Sequence, residues 1–345
     1  MSSENIYDVI TVGTATRDVF LTSPFFRVIS DKKHFIKNGF PTGEAQCFAL
    51  GGKIEIAEPI LTTGGGAANA AVAFSRQGLK TAALIKIGRD ESAKNILDEL
   101  NKENVSVLTV EDPKKGTAFS TVLLAPGGER TILVYRGASE NLKIKEIPFQ
   151  KLKARWAYIV PGKISLPVMG KIFNHFHKNG TLIAFNPSKH FIEIGMKRLK
   201  PFLAKSKALI LNREEASILT GVNYQKENEI FKKLDEIAPG IVAMTDGPNG
   251  VLVSDGRRVC RAGVFKEKKV VDRTGAGDAF GSGFVAGLVQ KGEVCGKGLC
   301  RLGNVEYAIR LGSANATSVI EHIGAKAGIL TKREFEKSPR WKRLT

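Results

Sequence analysis

Short apolar runs of β type alternate with helical stretches along most of the chain, and no other feature limits its fold so strongly. Ile6–Val12 opens as a β run that ends at Gly13. Ala71–Gln77 reads as a helix stopped near Gly78, Ala82–Ile87 as a strand, and Glu91 to Lys102 as a second helix. Ala157–Val160, Leu182–Phe185, Ala208–Leu211 and Ile241–Thr245 follow as strands, with helical stretches between them. Strands separated by crossover helices predict a parallel sheet covered on both faces. Two excursions interrupt the pattern. From Leu21 to about Glu58 the period is lost among Pro24, Phe25, Phe26, Gly39, Pro41 and Gly43, which predicts an insertion of short strands and loops. Thr117–Ala125 and Arg130–Arg136 alternate on either side of Pro126-Gly127-Gly128-Glu129, a hairpin pattern. Val251–Ser254 and Arg257–Ala262, joined at Asp255-Gly256, predict a late antiparallel pair. One large α/β domain with a β-rich lid fits the 345 residues better than two serial domains.

Hydrophobic residues make up 43% of the chain and charged residues 25%, a composition that excludes disordered, collagenous and coiled-coil chains. The net charge of +18 creates a field that attracts phosphates of any kind. The excess is dispersed over small clusters at Lys151–Arg155, Arg257–Arg261, Lys266–Lys269 and along Lys332 to Arg343, so a basic surface is favoured over a nucleic-acid site. Cys47, Cys260, Cys295 and Cys300 have neither zinc-site nor redox spacing, which predicts free thiols. The opening MSSENIYDVITVG lacks a signal-peptide pattern, and no apolar run approaches the roughly 18–20 residues of a membrane span. A cytoplasmic location is expected, without a membrane partner.

Chemistry concentrates at two glycine-rich turns. Val271-Asp272-Arg273-Thr274-Gly275-Ala276-Gly277-Asp278 places a β run ending at Asp272, a small-residue turn and then a helix running to about Gln290. Backbone N–H groups at such a turn, backed by a helix dipole, form an anion site. Asp278 is either a base poised to take a hydroxyl proton or a first-turn carboxylate favoured by the dipole. Gly281, Gly283 and Gly287 each cost about 1 kcal/mol relative to Ala in a helix, which predicts close backbone packing. The second turn, Thr63-Gly64-Gly65-Gly66-Ala67-Ala68-Asn69, either lets a ligand approach the backbone or makes a tight strand-to-helix turn. No GxxxxGK[ST], complete GxGxxG or GxSxG occurs, which removes the commonest phosphate-loop, dinucleotide and hydrolase readings.

The two turns together resemble the paired signatures of the ribokinase (PfkB) family of carbohydrate kinases, and the resemblance runs from about Ile6 to Leu330. Asn212-Arg213-Glu214-Glu215 is similar to the family's NxxE element, and Thr245-Asp246-Gly247-Pro248-Asn249-Gly250 to its T-x-G-x-x-G nucleotide loop. The resemblance implies a ribokinase-like three-layer α/β/α sandwich, Rossmann-like with a mostly parallel sheet and a small β-rich lid. The kinase domain would span residues 1–330, with lid segments at about 14–62 and 117–137 and a basic tail at 331–345. By the same resemblance Asp278 is the general base, and Gly275, Ala276 and Gly277 hold charge on the transferred phosphoryl. Asp18, Gly65 and Asn69 bind acceptor hydroxyls. Asn212 contacts phosphate, Glu215 orders Mg²⁺ waters, and Thr245, Gly247, Gly250 and Ser313 line the nucleotide channel. The family often uses K⁺ beside the anion turn, and Asp272 and Thr274 with carbonyls at Val319, His322 and Gly324 match that site.

The implied reaction is ATP-dependent phosphorylation of a sugar hydroxyl, with a nucleoside as the alternative acceptor. A phosphorylated sugar stays open as acceptor, with Arg130 or Arg136 as a cation for it. So does a non-catalytic nucleotide or RNA binder. Gly66 stands where ribokinase itself carries Lys, the 22–60 insertion exceeds a minimal lid, and Arg273 adds a cation beside the anion turn. Phe25, Phe26, Phe119 and Tyr135 are candidates for stacking on a base, for the lid's own core, or for a dimer seam through the lid.

Overall fold

A computed structural model describes residues 6–40, 43–125, 130–291 and 302–344; Pro41, the Pro126–Glu129 turn, Cys295 and Cys300 lie outside the described residues. Nine strands form the main sheet, which runs in space from Val259–Ala262 through Val251–Ser254, Ile241–Thr245, Ser206–Asn212, Leu182–Phe185, Ala154–Val160, Tyr7–Gly13 and Thr81–Ile87 to Ser106–Glu111. All neighbours from Ile241–Thr245 to Ser106–Glu111 are parallel. The last two strands at the opposite edge are antiparallel, as the Asp255-Gly256 turn predicts.

Side-chain alternation builds the layers. Along Tyr7–Gly13, Ile10 and Val12 enter one core cluster and Val9 the other. In Ala154–Val160, Ala157 and Ile159 point to the first face while Trp156 and Tyr158 point to the second. The first face is covered by the helices Leu166–Lys178, Met196–Leu203, Arg213–Thr220 and Glu227–Asp235, through residues such as Phe173, Leu199, Leu219 and Phe231. Gly66–Arg76, Ala276–Lys291 and Leu302–Val319 cover the second. Phe335 and Trp341 in the C-terminal segment are buried in that second cluster. The result is a three-layer α/β/α sandwich.

Ile60–Gly64, Thr16–Thr22, Phe119–Leu124 and Arg130–Tyr135 form a separate four-stranded sheet beside the main one. Its small core is Phe20, Val122 and Leu124, and its outer strand exposes Leu133, Val134 and Tyr135. The 22–60 insertion folds as the antiparallel pair Arg27–Ser30 and Glu44–Cys47 with the helix Lys32–Lys37. Phe26 is buried there and packs edge-on against Phe48, at 5.6 Å between ring centroids. No described helix is long and apolar enough to cross a membrane.

One sequence expectation needs correction. The run up to Asp272 is not a strand, because Val259–Ala262 already closes that edge of the sheet. Instead, the N–H groups of Val271 and Asp272 both donate to Ile320 O, at 2.8 and 3.2 Å, tying the segment to the end of Leu302–Val319. Ser106–Glu111, not among the strands expected from the sequence, forms the other edge of the sheet.

Candidate active site

In open α/β sheets ligands gather at the carboxyl ends of the parallel strands. The candidate residues do so here. Thr14 and Ala15 follow Tyr7–Gly13, Asn186 follows Leu182–Phe185, Asn212 ends Ser206–Asn212, and Thr245 ends Ile241–Thr245. Val160, at the end of its strand, lies against the second glycine turn.

That turn is shaped by close approach. A Cβ on Gly64 would come within 2.0 Å of Asp18 Oδ2, and one on Gly66 within 2.4 Å of Val160 Cγ1. Gly65 has φ +93° and packs on Thr14 and Ala15, so position 65 suits glycine alone. Asp18 is buried on Thr16–Thr22 and accepts a hydrogen bond from the Thr16 hydroxyl at 2.9 Å. Burial pushes its carboxyl above the ordinary range, opposed by hydrogen bonds from Thr16 and Ser120 and by the charges of Lys326 and Arg17.

The anion turn is held from behind. Asp272 is buried; its Oδ1 accepts from Thr274 N–H at 2.9 Å and from the Thr274 hydroxyl at 2.7 Å, while Oδ2 accepts from Gly324 N–H at 3.1 Å. Gly275 has φ +79°, and a Cβ there would strike Ala325 at 2.4 Å. Gly277 faces open space. A helix leaves its first N–H groups without helical partners; at the start of Ala276–Lys291 the Ala276 N–H makes only a long 3.4 Å turn bond to Arg273 O, and the N–H groups beside it face the anion turn. Val319 and His322 belong to the same neighbourhood, with His322 N–H donating to Val319 O at 3.0 Å and the ring Nδ1 paired with Ser318 O at 2.9 Å.

Asp278 joins the two turns. Asn69 Nδ2 donates to Asp278 Oδ2 at 3.0 Å, and Asn69 Oδ1 is buried with no donor reaching it among the described residues. Burial raises the Asp278 carboxyl above its ordinary range, partly offset by the Asn69 bond. Beneath it, Tyr158 is fully buried, and its hydroxyl accepts from Asn186 at 3.4 Å. Burial, and next the Asp278 charge, push the Tyr158 hydroxyl up. The helix glycines are packing residues: Gly281 meets Tyr158, Gly283 meets Asn315 and Gly287 meets Ala308.

Asn212 and Glu215 form a reciprocal cap on Arg213–Thr220, with Glu215 N–H to Asn212 Oδ1 at 2.8 Å and Asn212 N–H to Glu215 Oε2 at 2.9 Å. Burial raises the Glu215 carboxyl, and the charges of Glu214 and Asp278 add to the rise, which puts Glu215 electrostatically in touch with the anion turn. Arg213 reaches across to the neighbouring loop and pairs with Asp246 Oδ2 at 3.0 Å. Thr245, Gly247, Gly250 and Ser313 line one cavity of about 320 Å³ together with Ala276 and Gly277. Its apolar walls come from Val264, Phe265, Val270, Phe280 and Ile320, which suits a flat heteroaromatic base beside a phosphate site.

Four residues escape a reading of motifs. Lys326 is buried, pairs with Glu99 Oε1 at 2.7 Å and donates to the Thr63 hydroxyl, directly before the Gly64–Gly66 turn. Arg213 and Asp246 sit inside motifs without being their named positions. Tyr158 lies on a strand as any core aromatic would. Only the unusual Lys326, inside Gly324-Ala325-Lys326-Ala327-Gly328, carried a signal, a charge amid small residues. Of the lid cations, Arg136 is bound to Glu140 at 3.2 Å. Among the described residues no group of three or more His, Cys, Asp or Glu could by itself enclose a metal.

A sequence profile described as pfkB family carbohydrate kinase matches residues 45–332. An uncharacterized sugar kinase of Archaeoglobus fulgidus is 29% identical over 264 residues, 74% of this chain and 97% of its own length. A cytidine kinase of Thermococcus kodakarensis is 29% identical over 268 residues, 76% of this chain and 88% of its own. The solved structure of Arabidopsis thaliana ribokinase complexed with ribose and ATP superposes with a TM-score of 0.76 at 18% identity, over 98% of this chain and 99% of that one.

Proposed function

The chain belongs to the pfkB family of carbohydrate kinases, and from that premise we propose that it moves the γ-phosphoryl of ATP to a sugar hydroxyl with Asp278 as the general base. The observation that carries this reading is the Asn69–Asp278 contact with its unsatisfied Asn69 Oδ1, a hydroxyl-binding acceptor beside a carboxylate at the mouth of an anion turn. The acceptor hydroxyl donates its proton to Asp278 as its oxygen forms the bond to phosphorus. The bond from phosphorus to the bridging oxygen breaks, and ADP leaves with that electron pair. A carboxyl held above its usual range is a stronger base, so burial tunes Asp278 toward this task. N–H groups at Gly275, Ala276 and Gly277 stabilise the developing charge. Asp18 and Gly65 complete the acceptor side, while Thr245, Gly247, Gly250 and Ser313 take the nucleotide.

Mg²⁺, when bound with the nucleotide, neutralises phosphate charge, and it needs only one or two carboxylates besides phosphate oxygens and water. Glu215 fits that requirement, with Asn212 beside it toward phosphate. For K⁺, oxygens of Asp272 and Thr274 and the carbonyls of Val319, His322 and Gly324 form the corresponding loop. Residues 14–62 and 117–137 serve as the lid, and their exposed Leu61, Leu133 and Tyr135 as a seam for a second copy.

The test is ADP release from ATP and Mg²⁺, with and without K⁺, over a panel of sugars, sugar phosphates and nucleosides. Turnover on free sugars supports the reading. Turnover confined to adenosine or cytidine makes the protein a nucleoside kinase. No turnover on any member contradicts the proposal.

A further inference from the structure

The anion turn carries one cation that neither the fold nor the acceptor side uses. Arg273 lies in the turn between Asp272 and Thr274. Asp272 turns inward, where its carboxylate holds Thr274 and Gly324. The Arg273 carbonyl receives the Ala276 N–H at 3.4 Å, so its backbone belongs to the turn. Arg273 is one of the residues that line the nucleotide cavity, together with Ala276, Gly277, Thr245 and Gly247.

Three half-buried arginines are tied to carboxylates: Arg76 to Glu103, Arg213 to Asp246 and Arg340 to Glu321, whereas Arg17 donates to a backbone carbonyl. Arg273 is exposed, and among the described residues no hydrogen bond or ion pair engages its guanidinium. Glu267 lines the same cavity without pairing to it. An unpaired guanidinium thus stands at the start of a helix whose dipole also favours negative charge. The planar fork of arginine matches phosphate oxygens two at a time.

We propose that Arg273 is a phosphate-binding residue of the donor site, contacting the β- or γ-phosphoryl oxygens of the nucleotide; this rests on the kinase reading above. It forms and breaks no covalent bond. As the phosphoryl moves to the acceptor oxygen and the bridging bond breaks, Arg273 shares with the turn's N–H groups the charge on the transferred group and on the departing ADP.

The test compares wild type with Arg273→Ala and Arg273→Lys in two readouts. One is binding of β,γ-methylene ATP against AMP by calorimetry, and the other is kcat/KM for ATP. In Arg273→Ala we expect binding of the triphosphate analogue and kcat/KM for ATP each to fall about tenfold or more, with AMP affinity unchanged. Arg273→Lys retains part of both, and added guanidinium restores part of the Arg273→Ala loss. Unchanged triphosphate binding and kcat/KM, or equal losses for AMP and the analogue, overturn the inference. The binding readout stands even if the wild type phosphorylates no acceptor, so the two failures are distinguishable. A wild type that binds neither nucleotide overturns the donor site itself and the inference with it.

Discussion

Asn69 and Asp278, 209 residues apart in sequence, meet through a 3.0 Å hydrogen bond that joins the acceptor turn to the anion turn. Each side chain is placed by its own glycine turn, so the contact registers the relative position of two helices, Gly66–Arg76 and Ala276–Lys291. Those helices also pack against each other, and that packing makes the geometry reproducible.

The raised Asp278 carboxyl has a cost in stability with a definite sign. Its pKa is higher folded than unfolded, so its contribution to stability is fully present below the unfolded value and is lost as pH rises through the folded value. Asp278→Asn is therefore expected to melt at a higher temperature than wild type at pH 7, with the difference vanishing toward the usual carboxylate range. Calorimetric scans from pH 4 to pH 8 read this directly. An equal or lower Tm at neutral pH contradicts the burial assigned to Asp278.

Gly281 leaves the space that Tyr158 occupies, since a Cβ there would lie 2.4 Å from the Tyr158 hydroxyl. Gly281→Ala is expected to destabilise the fold by about 1–3 kcal/mol, the usual range for overpacking. Tyr158→Phe in the same chain removes the clashing oxygen and recovers part of the loss. Denaturant unfolding of the four proteins of this cycle measures the coupling, and additivity rejects the contact.

Arg213 and Asp246 tie the capped helix to the nucleotide loop with an N···O distance of 3.0 Å, and Asn249 adds a bond to the same carboxylate at 3.2 Å. Asp246→Asn is expected to raise the KM for ATP several-fold while leaving the KM for the acceptor in place, because only the nucleotide side loses its positioning. A double-mutant cycle with Arg213→Gln should give a coupling of about 0.5–3 kcal/mol. Equal changes in both KM values point to general loosening instead.

Lys326 braces the acceptor turn from below through Glu99 and Thr63. Burial pulls its ammonium pKa down, while the charges of Glu99, Asp18 and Glu103 hold it up. Lys326→Met removes the charge partner of Glu99, which keeps the Thr63 hydroxyl as a donor and partial exposure, so a loss of about 1–3 kcal/mol is expected rather than collapse. Urea unfolding checks it, and an unchanged midpoint removes the brace.

The sequence made the parallel sheet legible because most strands are buried on both faces and read as unbroken apolar runs between helices. Ser106–Glu111 escaped because an edge strand is half solvated and alternates weakly. The two glycine turns were visible because close approach permits only glycine at Gly65 and Gly275. Asp278, Asn69 and Asp18 were visible as polar residues beside those turns, yet their convergence was not, since it depends on the packing of distant helices. Arg213, Asp246 and Tyr158 stayed hidden for the same reason, and Lys326 showed only as a charge amid small residues, as each acquires its meaning only from a partner on another element. The Val271–Asp272 segment misled because β-branched residues packed along a helix end resemble a strand in composition.

Transfer of labelled γ-phosphate from ATP to the acceptor, followed for wild type and Asp278→Asn side by side, tests the central claim most directly. The account predicts that the variant still folds and still binds nucleotide while its kcat falls by about 10²–10⁴, the range for loss of a general base. Wild-type kcat should also decline on acidification at a pH above the ordinary aspartate range, as the raised Asp278 carboxyl takes up its proton. Transfer by Asp278→Asn at the wild-type rate would contradict the assignment of the base and the chemistry built on it.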